Sequence, residues 1–187
     1  MYKNYELIVL DRDGVINLDS PDFVKNPQEW HPISGSLEAI ARLNKAGFKV
    51  VIATNQSGLA RELFTEADLL AIHKKMREEL TKFGGYVDDI FICPHGPHDN
   101  CKCRKPKSGL LKTISLTYNI PPEKILSIGD SLRDALAAHD FGCDFILVLT
   151  GNGRKAIENL SDLKEKDLIF SDLAAVVNAI LCPGYMN

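Results

Sequence analysis

Leu7-Ile8-Val9-Leu10-Asp11-Arg12-Asp13-Gly14 is the stretch on which the reading of the chain turns. Four successive large apolar residues predict a strand buried on both faces, since a strand with one wet face would alternate apolar and polar residues. The run ends on two carboxylates two residues apart, and Gly14 then lets the chain turn sharply. Strands buried on both faces belong to parallel sheets covered by helices on either side, and such sheets bind ligands beyond the carboxyl ends of their strands. The acidic pair sits at such an end.

Working outward, the same alternation repeats. Ser36–Ala46 has helical apolar spacing at Leu37, Ile40, Ala41 and Leu43, with Gly47 as the stop. Lys49–Ala53 predicts a second strand. Glu66–Phe83 predicts a long helix that Thr65 caps and Gly84-Gly85 ends. Strands are expected at Asp89–Cys93, Lys124–Ile128, Phe145–Leu149 and Leu168–Phe170, and helices at Ser108–Tyr118, Leu132–Asp140 and Leu173–Leu181. The predicted fold is α/β: a Rossmann-like parallel sheet with helices on both faces, a single domain over residues 1–187 and no large cap domain. Two long loops, Asn17–Ile33 and Pro94–Lys107, follow strands on the presumed ligand edge; loops of this length in a compact domain are usually functional.

The composition narrows the classes. The 187 residues are 45% hydrophobic and 25% charged, with a net charge of −3. This excludes a disordered chain and gives no global positive field for nucleic acid or an anionic membrane. No apolar run approaches the roughly 20 residues of a membrane span, and Met1–Glu6 lacks the pattern of a secretory signal. The expected setting is cytoplasmic, with a small-molecule partner, no nucleic acid or membrane, and a monomeric chain. A phosphorylated substrate would have to be held by local positive groups.

Each strand end offers one group that phosphoryl transfer needs. Asp11 and Asp13 pair a carboxylate able to attack phosphorus with one able to handle the proton of the leaving oxygen. Thr54-Asn55-Gln56-Ser57-Gly58 offers a hydroxyl and successive amides to phosphate oxygens. Arg104 and Lys105 place cations between the third strand and its helix. Asp130-Ser131 follows the fourth strand, with Asp134 one helical turn on; hard oxygen ligands of this kind suit magnesium with a phosphate substrate. Each has a plainer reading when taken singly: a solvated turn, a polar loop with a helix cap, a solvated basic pair, and Asp130 as a helix N-cap. Four components at four strand ends, in the order nucleophile, hydroxyl, lysine, metal carboxylate, decide between the readings.

That order resembles the haloacid dehalogenase-like (HAD-like) phosphatase superfamily over about residues 5–150. The resemblance implies Asp11 as nucleophile, Asp13 as general acid/base, Thr54 and Lys105 as phosphoryl stabilisers, and a magnesium ion on Asp11, Asp130 and the Asp13 backbone carbonyl. The second acidic position falls on Asp134, as an outer-sphere group, with Ser131 as its neighbour. Aspartate at Asp13 is the variant of phosphatases.

Three of the five cysteines fall within eleven residues. Cys93-Pro94-His95 and Cys101-Lys102-Cys103 form two ligand pairs around a five-residue loop, and three thiolates with one imidazole suit tetrahedral zinc in a closed, structural site. His98 competes with His95, which is favoured because its spacing from Cys93 mirrors that of Cys101 and Cys103. Cys143 and Cys182 read as isolated thiols. The loop leads directly into Arg104 and Lys105, so zinc would orient both cations. This pattern is similar to the zinc-containing branch of the superfamily that holds heptose bisphosphate and histidinol-phosphate phosphatases. Asp11–Asn17, Thr54–Arg61 and Thr150-Gly151 resemble the heptose enzymes, whereas the short span from His95 to Cys101 resembles the histidinol enzymes. The resemblance implies hydrolysis of the 7-phosphate of a manno-heptose 1,7-bisphosphate for surface-heptose or lipopolysaccharide synthesis. Asp19, Ser20, Pro21, Asp22 and Arg104 would contact the substrate beside Thr54, Asn55, Gln56, Ser57 and Lys105. Histidinol-phosphate hydrolysis is the alternative enzyme, and a non-catalytic phospholigand-binding module the alternative of another class.

Overall fold

The computed structural model describes residues 5–158, 163 and 167–182. Most of the N-terminal stretch read for a signal, and both ends of the predicted domain, lie outside them. Six parallel strands form one sheet in the order β3-β2-β1-β4-β5-β6. They are β1 (Leu7–Leu10), β2 (Lys49–Asn55), β3 (Asp89–Cys93), β4 (Ile125–Gly129), β5 (Asp144–Val148) and β6 (Leu168–Phe170). The helices are α1 (Ser36–Lys45), α2 (Glu66–Lys82), α3 (Gly109–Tyr118), α4 (Leu132–Phe141), the one-turn α5 (Gly153–Ala156) and α6 (Leu173–Leu181).

The alternation of side chains along the strands splits the core in two. Ile8, Leu10, Val50, Ile52, Leu126 and Ile128 pack against α1, α2 and α6, while Leu7, Val9, Val51, Ala53 and Ile125 pack against α3 and α4. Both faces of β1 are therefore dry, as its unbroken apolar run requires. Helix α2 starts where the sequence places its cap: Asp68 N–H donates to Thr65 Oγ1 at 3.2 Å and Thr65 N–H donates back to Asp68 Oδ2 at 2.9 Å.

Strand β1 has β2 on one side and β4 on the other, so the order reverses at its carboxyl end. A crevice opens at such a switch point, and Asp11 is its first residue. Leu10 pairs with Ile52 and Ile128, which brings the ends of β2 and β4 level with Asp11. Strand β2 runs two residues beyond its predicted end, because Thr54 and Asn55 keep pairing with Ile92 and Cys93. Loop 17–33 is not free: it holds a 3-10 turn at Pro27–Glu29, buries Trp30 completely, and is tied to α2 by Lys75 Nζ, which donates to Pro27 O at 2.6 Å and Trp30 O at 2.9 Å. Among the described residues there is no large cap.

Candidate active site

Beyond the ends of β1, β2 and β4 lies a cavity of about 270 Å³ lined by Asp11, Asp13, Thr54, Lys105, Asp130 and Asp134, among others. The sequence-predicted catalytic groups converge there. Lys105 is almost fully buried, yet charged. Its Nζ lies 3.0 Å from Asp11 Oδ2 and 2.5 Å from Asp134 Oδ1, and it donates to Ala53 O at 2.8 Å. Burial alone would lower the lysine pKa, but the Asp11 and Asp134 carboxylates raise it instead, so the ammonium stays protonated. The Asn55 side chain grips the Lys105 backbone at both N–H and C=O, each at 3.1 Å. That amide therefore positions Lys105 while also lining the cavity.

Burial pushes the Asp11 carboxyl up to about 8, against the pull of Lys105 and with help from Asp134, Asp130 and Asp13. For Asp130 the value is pushed up to about 7, by burial first and by Asp134 next. Carboxylates packed this closely repel one another, and a divalent cation between them would remove that repulsion. Oxygen atoms of Asp11, Asp130 and Asp134 all lie within 4.8 Å of one another. Asp134, however, is engaged through both oxygens: Oδ1 holds Lys105, and Oδ2 accepts from Ser131 N–H at 3.1 Å and Ser131 Oγ at 2.5 Å. Asp134 thus serves as the anchor of Lys105, and Ser131, not Asp130, caps α4.

Asp13 faces different forces. Burial raises its pKa, but the Arg12 guanidinium together with hydrogen bonds from Asn17 and Gln56 outweighs that and holds it below the usual carboxylate range. Gln56 Nε2 donates to Asp13 Oδ2 at 3.0 Å and to Thr54 Oγ1 at 2.9 Å, so this side chain links acid/base to hydroxyl at the cavity wall. Asp19, Ser20, Ser57 and Arg104 line the cavity as expected. Pro21 lines a neighbouring hollow with Leu18, Ile33, Thr150 and Lys155, and Asp22 lines neither; both sit inside the turn that Phe23 N–H closes onto Ser20 O.

Sequence reasoning found a family likeness at Thr150-Gly151, after β5, but no role for it. Asn152 N–H donates to Asp130 Oδ2 at 2.7 Å, its side chain donates to Asp19 Oδ2 at 2.8 Å, and Thr150 Oγ1 donates to Gly14 O at 2.6 Å. The strand-end rule applied to β5 would have pointed there. Gly151, at φ +54, leaves no room for a side chain: a Cβ would stand 2.1 Å from Asp130 Oδ2 and 2.6 Å from Gly14 Cα. Gly151→Ala is therefore expected to displace the Asp130 carboxylate and raise the apparent magnesium dissociation constant by about tenfold or more. Magnesium titration of activity, with circular dichroism as a check of folding, measures this.

Cys93, His95, Cys101 and Cys103 are gathered with their ligand atoms within 4.8 Å. The Sγ–Sγ distances are 3.2, 3.6 and 3.7 Å, and His95 Nδ1 lies 3.3 and 3.7 Å from the Cys103 and Cys93 sulfurs. The edges of a zinc tetrahedron with bonds of about 2.3 Å to sulfur and 2.0–2.1 Å to nitrogen are roughly 3.5–3.8 Å, so the four residues fit the ion. His98 is not one of the four. Arg104, next along the chain, donates from Nη1 to His95 O at 3.1 Å.

A carboxylate at the switch point, backed by a buried lysine and facing a second carboxylate across a small polar cavity, defines a HAD-like hydrolase; a family model described as HAD-hydrolase-like matches residues 102–176. A protein of Bordetella bronchiseptica named D-glycero-beta-D-manno-heptose-1,7-bisphosphate 7-phosphatase is 53% identical over 94% of this chain and 98% of its own length, and one of Pseudomonas aeruginosa with the same name is 50% identical over 94% and 97%. The crystal structure of the Bordetella enzyme, described as complexed with magnesium and phosphate, matches 94% of this chain and 98% of its own with a TM-score of 0.92. The chain belongs to this family of heptose bisphosphate phosphatases.

Proposed function

We propose that the chain hydrolyses the 7-phosphate of D-glycero-beta-D-manno-heptose 1,7-bisphosphate by way of an aspartyl-phosphate on Asp11, in a route to surface heptose. The observation that carries the reading is the placement of Asp11 at the sheet's switch point, 3.0 Å from a buried lysine and beside Asp130. Relatives that align over nearly the whole chain carry the heptose name, which outweighs the short span between His95 and Cys101. No group that phosphoryl transfer needs is missing, which speaks against a non-catalytic module.

Asp11 and Asp130, with the Asp13 backbone carbonyl, would hold magnesium, and their hard, repelling oxygens fit that ion. Bound there, it would neutralise charge on the phosphoryl oxygens. Asp11 Oδ attacks phosphorus in line and the bond to the sugar oxygen breaks. Lys105 and Thr54 stabilise the transferring group. Asp13 gives its proton to the leaving sugar oxygen, then takes one from the water that cleaves the aspartyl-phosphate. The incoming phosphate opposes the hold of Arg12 on Asp13 and so favours the protonated form needed for the first step. Arg104, at the cavity wall, would meet the distal part of the substrate. All of these groups come from one chain, so the reaction needs no second copy.

Phosphate release measured side by side on heptose 1,7-bisphosphate and histidinol phosphate tests the substrate. A kcat/KM at least about a hundredfold higher on the heptose is expected, since a polar site rejects ligands that leave its groups unpaired; preference for histidinol phosphate would reverse the assignment. For the loop, elemental analysis should find about one zinc per chain. Removing it with a chelator that spares magnesium should lower the unfolding temperature, because structural zinc in small domains contributes about 10–16 kcal/mol apparent. Protein that holds no zinc, or is indifferent to its removal, contradicts this part.

A further inference from the structure

His73 is a buried titratable side chain that the reaction does not touch. It sits in the middle of α2, only 6% exposed, among Leu69, Ile72 and Met76. Its Nε2 lies 3.3 Å from Arg12 Nη1. A guanidinium only donates, so Nε2 must be the acceptor and the ring proton must sit on Nδ1. Burial and the neighbouring Arg12 charge, opposed by Asp13, hold the imidazole pKa down to about 4, which keeps the ring neutral and able to accept.

Arg12 is 1% exposed, the most deeply buried charge at the site. Its Nε and Nη2 donors grip Asp13 as a fork: Nε at 3.1 Å and Nη2 at 2.9 Å to Oδ1, and Nη2 at 2.9 Å to Oδ2. Asn17 and Gln56 each hold one carboxylate oxygen, whereas Arg12 spans both. A planar fork fixes the plane of the carboxylate it grips, provided its own plane is fixed. The bond to His73 at the far corner supplies that constraint.

We propose that His73 and Arg12 are positioning residues that set the orientation of the Asp13 carboxyl for proton transfer to the leaving sugar oxygen. This rests on the reading of Asp13 as general acid. Proton transfer demands hydrogen-bond reach, so a carboxyl turned out of plane loses the step while the phosphate site stays intact.

The test compares two leaving groups in magnesium-supplied enzyme. An alkoxide needs the proton of Asp13, whereas p-nitrophenolate departs without one, and kcat/KM reports only the steps up to formation of the aspartyl-phosphate. His73→Leu is expected to lower kcat/KM on heptose 1,7-bisphosphate by about tenfold or more and to change that on p-nitrophenyl phosphate by less than about threefold, within the range that general-acid catalysis commands. His73→Gln, whose amide oxygen can accept from Arg12, should recover most of the loss. Should the leucine variant not fold, Arg12→Lys, which keeps the charge without the fork, carries the same comparison. Equal losses on both esters, or none on either, overturn the inference. Asp13→Asn provides the reference: if it discriminates between the esters and His73→Leu does not, the inference alone fails; if Asp13→Asn does not discriminate, the general-acid reading fails and the inference falls with it.

Discussion

Asp11→Asn should lower turnover by about 10⁴-fold or more and leave the protein folded. An amide oxygen is not a nucleophile towards phosphorus, and loss of a nucleophile removes almost all the catalysis of enzymes working through covalent intermediates. Stability should move the other way. Burial, and then Asp134, Asp130 and Asp13, raise the Asp11 pKa to about 8 despite Lys105. An acid whose folded pKa lies above its unfolded value binds its proton more tightly when folded, so its contribution to stability declines as pH rises from about 4 towards 8. Asparagine has no such charge to form. Without magnesium, the variant should therefore be at least as stable as the parent at pH 8, and its advantage should shrink on acidification. Steady-state phosphate release and thermal unfolding in a chelator check both halves.

Lys105→Met is expected to have the second largest effect, on activity and stability together. Activity should drop about 10²–10³-fold, the usual cost of removing one preorganised group from a transferring centre. The substitution also leaves Asp11 and Asp134 buried without the cation at 3.0 and 2.5 Å. Breaking such a pair from one side costs about 3–5 kcal/mol, because the remaining charge is uncompensated. The sign with pH follows from what is left. Burial already raises the Asp11 carboxyl, whereas Lys105 outweighs burial and holds that of Asp134 below the usual range; without Lys105 both move upward, so protonation relieves them. The destabilisation should be largest above neutrality and diminish as pH falls. Denaturant titration of parent and variant at two pH values measures it, and a loss independent of pH would contradict the pairing.

Much of this was legible in the sequence because the decisive signals are local. The apolar run Leu7–Leu10 reads as a strand dry on both faces, and Asp11, Asp13, Thr54, Lys105 and Asp130 line one cavity, because a parallel sheet delivers its carboxyl ends to one edge. The Cys93–Cys103 cluster was readable from spacing alone. What stayed hidden depends on pairing across the chain. Gln56 reads as a phosphate-cradle amide, but its partners, Asp13 and Thr54, are fixed by the register of β1 with β2. Asp134 reads as an outer-sphere acid beside the metal, but its pairing with Lys105 depends on a loop that precedes it by some thirty residues. Pro21 and Asp22 read as substrate contacts by position, whereas the turn at Ser20–Phe23 places neither in the lining of the cavity around Asp11. Thr150, Gly151 and Asn152 carry no charge and so gave no chemical signal, although they close the site around Asp130. His73, a lone histidine in the apolar stripe of α2, has significance only through Arg12, some sixty residues earlier.

The central claim is that the phosphoryl group passes through Asp11, and the configuration at phosphorus tests it most directly. A heptose phosphorothioate made chiral with oxygen isotopes, hydrolysed by the parent enzyme in isotopically labelled water, yields inorganic thiophosphate whose handedness can be read. Transfer to Asp11 followed by attack of water comprises two in-line displacements, each inverting the centre. The account predicts net retention; net inversion would mean that water attacks the substrate directly and would contradict it.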